Sequence, residues 1–89
     1  MEMDKILAER GNRYGAFPDH AAISQGLKRV MHASPKWALL TDAQKEALEM
    51  IAHKIGRMLN GDVTYTDNPV DMIGYATLML NAMREDAAG

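Results

Sequence analysis

Apolar residues recur along this chain every three or four positions and almost nowhere in strict alternation, the spacing of one face of an α-helix rather than of a strand. Four such segments can be read. The first is short, Met3 to Arg10, with Gly11 expected to end it and Asn12-Arg13-Tyr14-Gly15 to continue as a loop. The second starts at Pro18 with Asp19 as its N-cap, and carries Ile23, Leu27, Val30 and Met31 on one stripe. It stops at Ala33-Ser34-Pro35, because proline disfavours helix in the residue before it. Trp37, Leu39 and Leu40 are expected to plug the core from the connection, and His32 and Ser34 to serve the helix end. Thr41 caps the third helix, and Gln44 three residues on completes a capping box. Ala47, Leu48, Ile51, Ile55, Met58 and Leu59 then recur at helical spacing until Asn60-Gly61, residues that tolerate a left-handed backbone. Val63 to Thr66 is β-branched and aromatic but has no second strand to pair with, so it reads as loop. The fourth helix opens at Asn68 as cap, with Pro69 at the first helical position. Ile73, Ala76, Leu80 and Met83 line its core-facing stripe, and a fraying tail follows from Arg84. The pattern predicts an all-α protein, a small bundle of three to four helices forming one domain over residues 1–89.

The fourth helix carries a second stripe, Asp71, Tyr75, Leu78 and Ala82, and with Met72 and Met79 it is apolar nearly all round. Helices of that kind are normally buried on both sides, and 89 residues offer little protein to cover them. The expectation is a homo-oligomer with the fourth helix at the subunit interface. Eight methionines agree with that, since methionine fills irregular contacts.

Composition removes several function classes. A net charge of −2 argues against a general coat role on DNA or RNA, which needs a basic surface to release counterions. The chain has no cysteine, which excludes disulfides and thiolate metal sites and fits a reducing cytoplasm. The start lacks the basic region and apolar core of a signal peptide, and no apolar run reaches membrane-spanning length. A soluble cytoplasmic protein without a membrane partner is expected.

At 100° per residue, the third helix sets Glu46, Glu49, Met50, His53 and Arg57 opposite its apolar stripe. This is either a solvated face with i,i+4 charge pairs or a surface that holds phosphate. Asp71 likewise has a plain reading, three residues after Asn68, where a carboxylate closes a capping box and meets the positive helix end. His20 reads most simply as a packed first-turn histidine and Trp37 as core.

Glu46-Ala-Leu-Glu49 followed by Asn68-Pro-Val-Asp71 resembles the paired-acid signature of the all-α NTP pyrophosphatases, the MazG-like group. Residues three apart share a helix face, and two acid pairs facing each other hold magnesium against a triphosphate. The resemblance implies a magnesium-dependent (d)NTP pyrophosphohydrolase with Glu46, Glu49, Asp67 and Asp71 as ligands. The chain is also similar over most of its length to small phage-encoded proteins, and to nucleotide-modification-associated families of phages. Arg10, Gly11, Tyr14 and Gly15, then Glu49, Lys54 and Arg57, then Asp67, Asp71, Gly74 and Tyr75 carry that similarity.

Asn68 stands where the signature has its third acid, and His53 and Arg57 share the stripe of Glu46 and Glu49. A cation beside carboxylates competes with magnesium for them, whereas arginine forks bind phosphate directly. The leading expectation is therefore a binding set of Arg10, Tyr14, His53, Lys54, Arg57 and Tyr75 that needs no cofactor, with Arg13 and His20 also within the inventory. Tyr14, Tyr75 or Trp37 offers a ring to stack on a base. The resemblance implies that a phosphorylated nucleotide or nucleotide-derived signal is sequestered unhydrolysed, which in an infected bacterium blunts a host defence. A third possibility, from another class, is a helical adaptor that docks on a host protein through its Met-rich surface.

Overall fold

The computed structural model describes residues 2–89. Its elements in chain order are α1 (Glu2–Tyr14), α2 (Phe17–Ala33), a 3-10 turn (Trp37–Leu39), α3 (Asp42–Asn60) and α4 (Asp67–Ala88), with no strand among the described residues. Among the described residues, no helix is long and apolar enough to cross a membrane. The all-α class is as the periodicity predicts.

α3 is the central helix, with α2 and α4 packed on it and α1 laid across its C-terminal half. Both halves of the capping box form: Gln44 N donates to Thr41 Oγ1 at 3.2 Å, and Thr41 N donates to Gln44 Oε1 at 2.9 Å. Toward α2, α3 presents the small residues Ala52 and Gly56, both buried, and a Cβ on Gly56 would lie 3.2 Å from His20 Nδ1. His32 Nε2 lies 2.7 Å from Glu49 Oε1 and ties the far end of α2 to the same helix. Toward α4, α3 turns Ala47 and Lys54, and the Lys54 ammonium sits 2.8 Å from Asp71 Oδ2.

Several boundaries differ from the pattern's expectation, for local reasons. Gly11 does not end α1; the helix runs on to Tyr14 and stops at Gly15, the one described residue with positive φ, at +77°. Its N–H reaches back to the Gly11 carbonyl at 2.9 Å, as a left-handed helix cap does. This leaves Ala16 extended, so α2 starts at Phe17 with no side-chain cap, and Asp19 sits inside the first turn rather than at the N-cap. Gly61 ends α3, but with φ −124° rather than left-handed. Its missing Cβ matters instead for space, because a side chain there would overlap the Arg13 carbonyl oxygen. Trp37 is only half-buried and Leu39 is exposed, so the 3-10 turn is not a core plug.

α4 shows the largest departures. It starts at Asp67, and Asn68 is not a cap but a first-turn residue only 1 % exposed. Asp71 reaches Lys54 on α3 instead of closing a capping box. The Lys54–Asp71 pair fixes the rotation of the helix, so Met72, Tyr75, Met79 and Ala82 turn inward along with the buried Asn68. The stripe expected to meet the core is left outside; Ile73 is 67 % exposed, and Leu80 and Met83 are exposed as well. A helix apolar nearly all round offers no hydrophobic reason to prefer either face, and the ion pair decides. Helix also continues through Arg84 to Ala88 where fraying was expected, over residues that are mostly good helix formers.

Four outcomes are expected from equilibrium denaturation at fixed protein concentration. Gly61→Ala costs at least about 2 kcal/mol, because backbone rather than a yielding side chain occupies the space. Gly74→Ala, with nothing within 4 Å of the new Cβ, gains about 0.5–1 kcal/mol from helix propensity. In the same assay Asp71→Ala destabilises by roughly 1–3 kcal/mol, since it orphans a buried ammonium. Lys54→Met costs less, because the carboxylate it strands is half-open to water.

Candidate functional site

Two chain junctions lock together near the C-terminus of α3. The Asp62 N–H donates to the Arg13 carbonyl at 2.7 Å, and Asn60 Nδ2 donates to the carbonyls of Tyr14 and Ala16 at 2.9 and 3.0 Å. A Cβ on Gly15 would overlap the Asn60 carbonyl oxygen, as one on Gly61 would overlap that of Arg13. This close crossing pins the end of α1 over the last two turns of α3.

Beneath that crossing lies a cleft of about 480 Å³, within the ordinary range for small-molecule sites. Arg10 and Tyr14 from α1, Phe17 and His20 from α2, and His53 and Arg57 from α3 line it, together with Leu7 and the backbone of the α1–α2 junction. No aspartate or glutamate is among the lining residues. The Arg57 guanidinium carbon stands 4.1 Å from the centroid of the Tyr14 ring, a cation–π contact that holds the fork over the opening. The His20 and His53 rings meet edge to face at 4.6 Å, with Phe17 tilted against His20 at 6.4 Å.

Both imidazoles are uncharged at neutral pH. Burial first, then the Arg57 charge, then His20 and the lysines Lys28 and Lys54, push the His53 pKa down to about 4. His20 is also lowered, by burial first, with the Gly56 backbone acting against the shift and Arg57 and Lys28 adding to it. The cleft therefore sets guanidinium charge beside neutral rings that donate or accept hydrogen bonds according to tautomer. Such a wall attracts an anion and offers its planar part aromatic faces and edges to meet.

Of the residues expected to bind, Arg10, Tyr14, His53 and Arg57 come together here. Lys54 does not: it is buried on the flank of α3 that faces α4, spent on Asp71. Tyr75 is half-buried on α4, a helix that lends no residue to the cleft. The expected metal set is dispersed. Glu49 bonds His32, Asp71 pairs with Lys54, and Asp67 accepts from the Tyr65 hydroxyl at 2.6 Å, while Glu46 is exposed. Among the described residues, no three histidine, aspartate or glutamate side chains group closely enough to hold a metal ion. Arg13 stacks 5.2 Å over the Tyr65 ring, which meets Tyr14 edge-on at 6.0 Å and so braces the cleft from outside.

Phe17 was not singled out from sequence, and His20 read as packing. Their i,i+3 spacing beside the α1–α2 turn was the available signal, since it sets both rings on one side of the first turn. His20 is indeed buried, and it still forms a wall of the cleft.

The lowered histidine values fix a pH dependence. Between about pH 6.5 and 4 the unfolded chain binds a proton at His53 that the fold refuses, so stability falls as pH drops through that window. It is unaffected by His53 above 6.5, where both states are neutral there. Thermal melts recorded over this range should show the decline, and His53→Gln should flatten part of it.

Two comparisons with known proteins found nothing: no curated protein and no solved structure matches the chain. A family described as Domain of unknown function (DUF6378) matches residues 2–83.

Proposed function

We propose, starting from the chain's membership of the DUF6378 family, that this protein is a non-catalytic binding protein that sequesters a phosphorylated nucleotide or a nucleotide-derived signal. The observation that carries the reading is a cleft with Arg10 and Arg57 at its walls, aromatic and neutral imidazole rings between them, and no carboxylate in the lining. Guanidinium forks match phosphate oxygens bidentately. Tyr14, already stacked under Arg57, and Phe17 supply the flat apolar surface that a base or ribose would lie against. Neutral His20 and His53 can read the polar edge of such a ring without repelling a ligand that is itself protonated or cationic there. The protein as a whole carries net charge −2, which disfavours a nucleic-acid polymer and leaves a small anion as the ligand that fits a cleft with two arginines.

Magnesium-dependent hydrolysis, the alternative, needs Glu46, Glu49, Asp67 and Asp71 to share an ion. Three of those carboxylates are engaged with three different partners, none at the cleft. Binding is therefore the stronger reading. The resemblance to phage nucleotide proteins suggests where it matters: a bacterial cytoplasm in which a nucleotide signals defence. In this reading the functional unit is a homo-oligomer.

Calorimetric titration with nucleoside mono-, di- and triphosphates and cyclic nucleotides, in magnesium and in chelator, tests it. Binding should survive chelation, weaken with salt, and fall about tenfold or more in Arg57→Ala, the scale of a lost charge-assisted contact. No product should form. Turnover abolished by Glu49→Ala would establish the hydrolase instead. Binding indifferent to both Arg10→Ala and Arg57→Ala would sink the proposed site.

A further inference from the structure

A single copy of this chain leaves its strongest apolar pattern uncovered. Among the described residues, only Ala47 and Ala52 are buried apolar side chains. Between α2 and α3 runs an apolar groove of about 510 Å³, walled by Leu27, Val30 and Met31 and floored by Leu48, Ile51 and Ile55. Val30 on its rim is 70 % exposed. The outer edge of α4, with Ile73, Ala76, Leu80 and Met83, lies about a quarter-turn from the stripe that meets α3. α3 and α4 run antiparallel through a short loop, so the hand of the helices puts that edge on the same side of α3 as Ile51 and Ile55. Groove and edge are one continuous face. It lies about half a turn of α3 away from His53 and Arg57, and so on the opposite side from the anion cleft.

We infer that a second copy of this chain covers this face, giving a two-fold dimer in which two helical layers close on each other. Area supports that occupant. The chain exposes 6342 Å², against about 5,200 Å² for a folded monomer of 9.8 kDa. The excess, roughly 1,200 Å² per chain, makes about 2,400 Å² for a pair, which is the size of an obligate homodimer interface. The radius of gyration is 15.3 Å where about 12 Å is usual for 89 residues, and the extents are 50 × 25 × 25 Å. Charge supports it too. A two-fold contact sets a patch against itself, and the groove and the α4 edge from Ile73 to Met83 carry no carboxylate, with the cations Lys36 and Arg84 only at the rim. Like charges therefore do not oppose self-pairing. The inference is independent of what the cleft binds.

Sedimentation of the full chain over a wide concentration range, with thermal melts at several concentrations, decides it. The expected mass is that of two chains, with a midpoint that rises with concentration. Ile73→Glu should abolish the dimer, whether the variant then stays helical or unfolds, since a lone chain has no use for that exposed side chain. Leu78→Glu, at an equally exposed apolar position on the far side of α4, should leave mass and melting unchanged. A single-chain mass with a concentration-independent midpoint overturns the inference. So does an assembly that survives Ile73→Glu.

Discussion

Two peptide backbones cross within van der Waals distance where the α1–α2 and α3–α4 junctions meet, and the cleft depends on that crossing. Gly15 against Asn60 and Gly61 against Arg13 leave no room for a Cβ at either point, and three main-chain carbonyls receive hydrogen bonds across the gap. α1 has little else to hold it: every described residue before Tyr14 is exposed. Its direction is therefore set at its C-terminal end, and that direction carries Arg10 and Tyr14 over His53 and Arg57. The glycines here supply closeness as much as flexibility, since only Gly15 has a backbone angle that other residues avoid.

Helix number, the α3 capping box and the shared face of His53 and Arg57 were legible from sequence, because each rests on spacing within one segment. The sequence pattern puts Arg10 at a helix end and Tyr14 in the loop beyond it; the helix instead runs through Gly11 to Tyr14 and sets these i,i+4 neighbours on one face. The rotation of α4 was not legible. Hydrophobic periodicity reads which positions are apolar, and α4 is apolar on most of its circumference, so periodicity alone does not choose the face that packs. Lys54 with Asp71 and the burial of Asn68 turn Ile73 outward. The same contact removes Lys54 from the binding set and Asp71 from any shared ion. Long-range pairing of charges is the information a single sequence carries least openly.

The electrostatics of the two flanks of α3 are consistent with one another. Toward α4 and toward the end of α2, carboxylates are matched by a lysine and a histidine. Toward α1, guanidinium groups stand without any carboxylate in the lining. Burial next to the Arg57 charge keeps His20 and His53 neutral, which limits repulsion among the groups that line the cleft. It also leaves the imidazoles free to gain a proton if a bound anion raises their basicity.

α3 divides its circumference among these tasks. Small residues receive α2, a salt-bridged flank receives α4, polar and cationic residues roof the cleft, and Leu48, Ile51 and Ile55 face outward. The last group includes the residues whose periodicity announced a core. A three-helix layer can bury one side of its central helix only if something covers the other, and 89 residues do not supply a second layer. Because that open face lies opposite the cleft, covering it would stabilise the helix that carries His53 and Arg57 without occupying their opening.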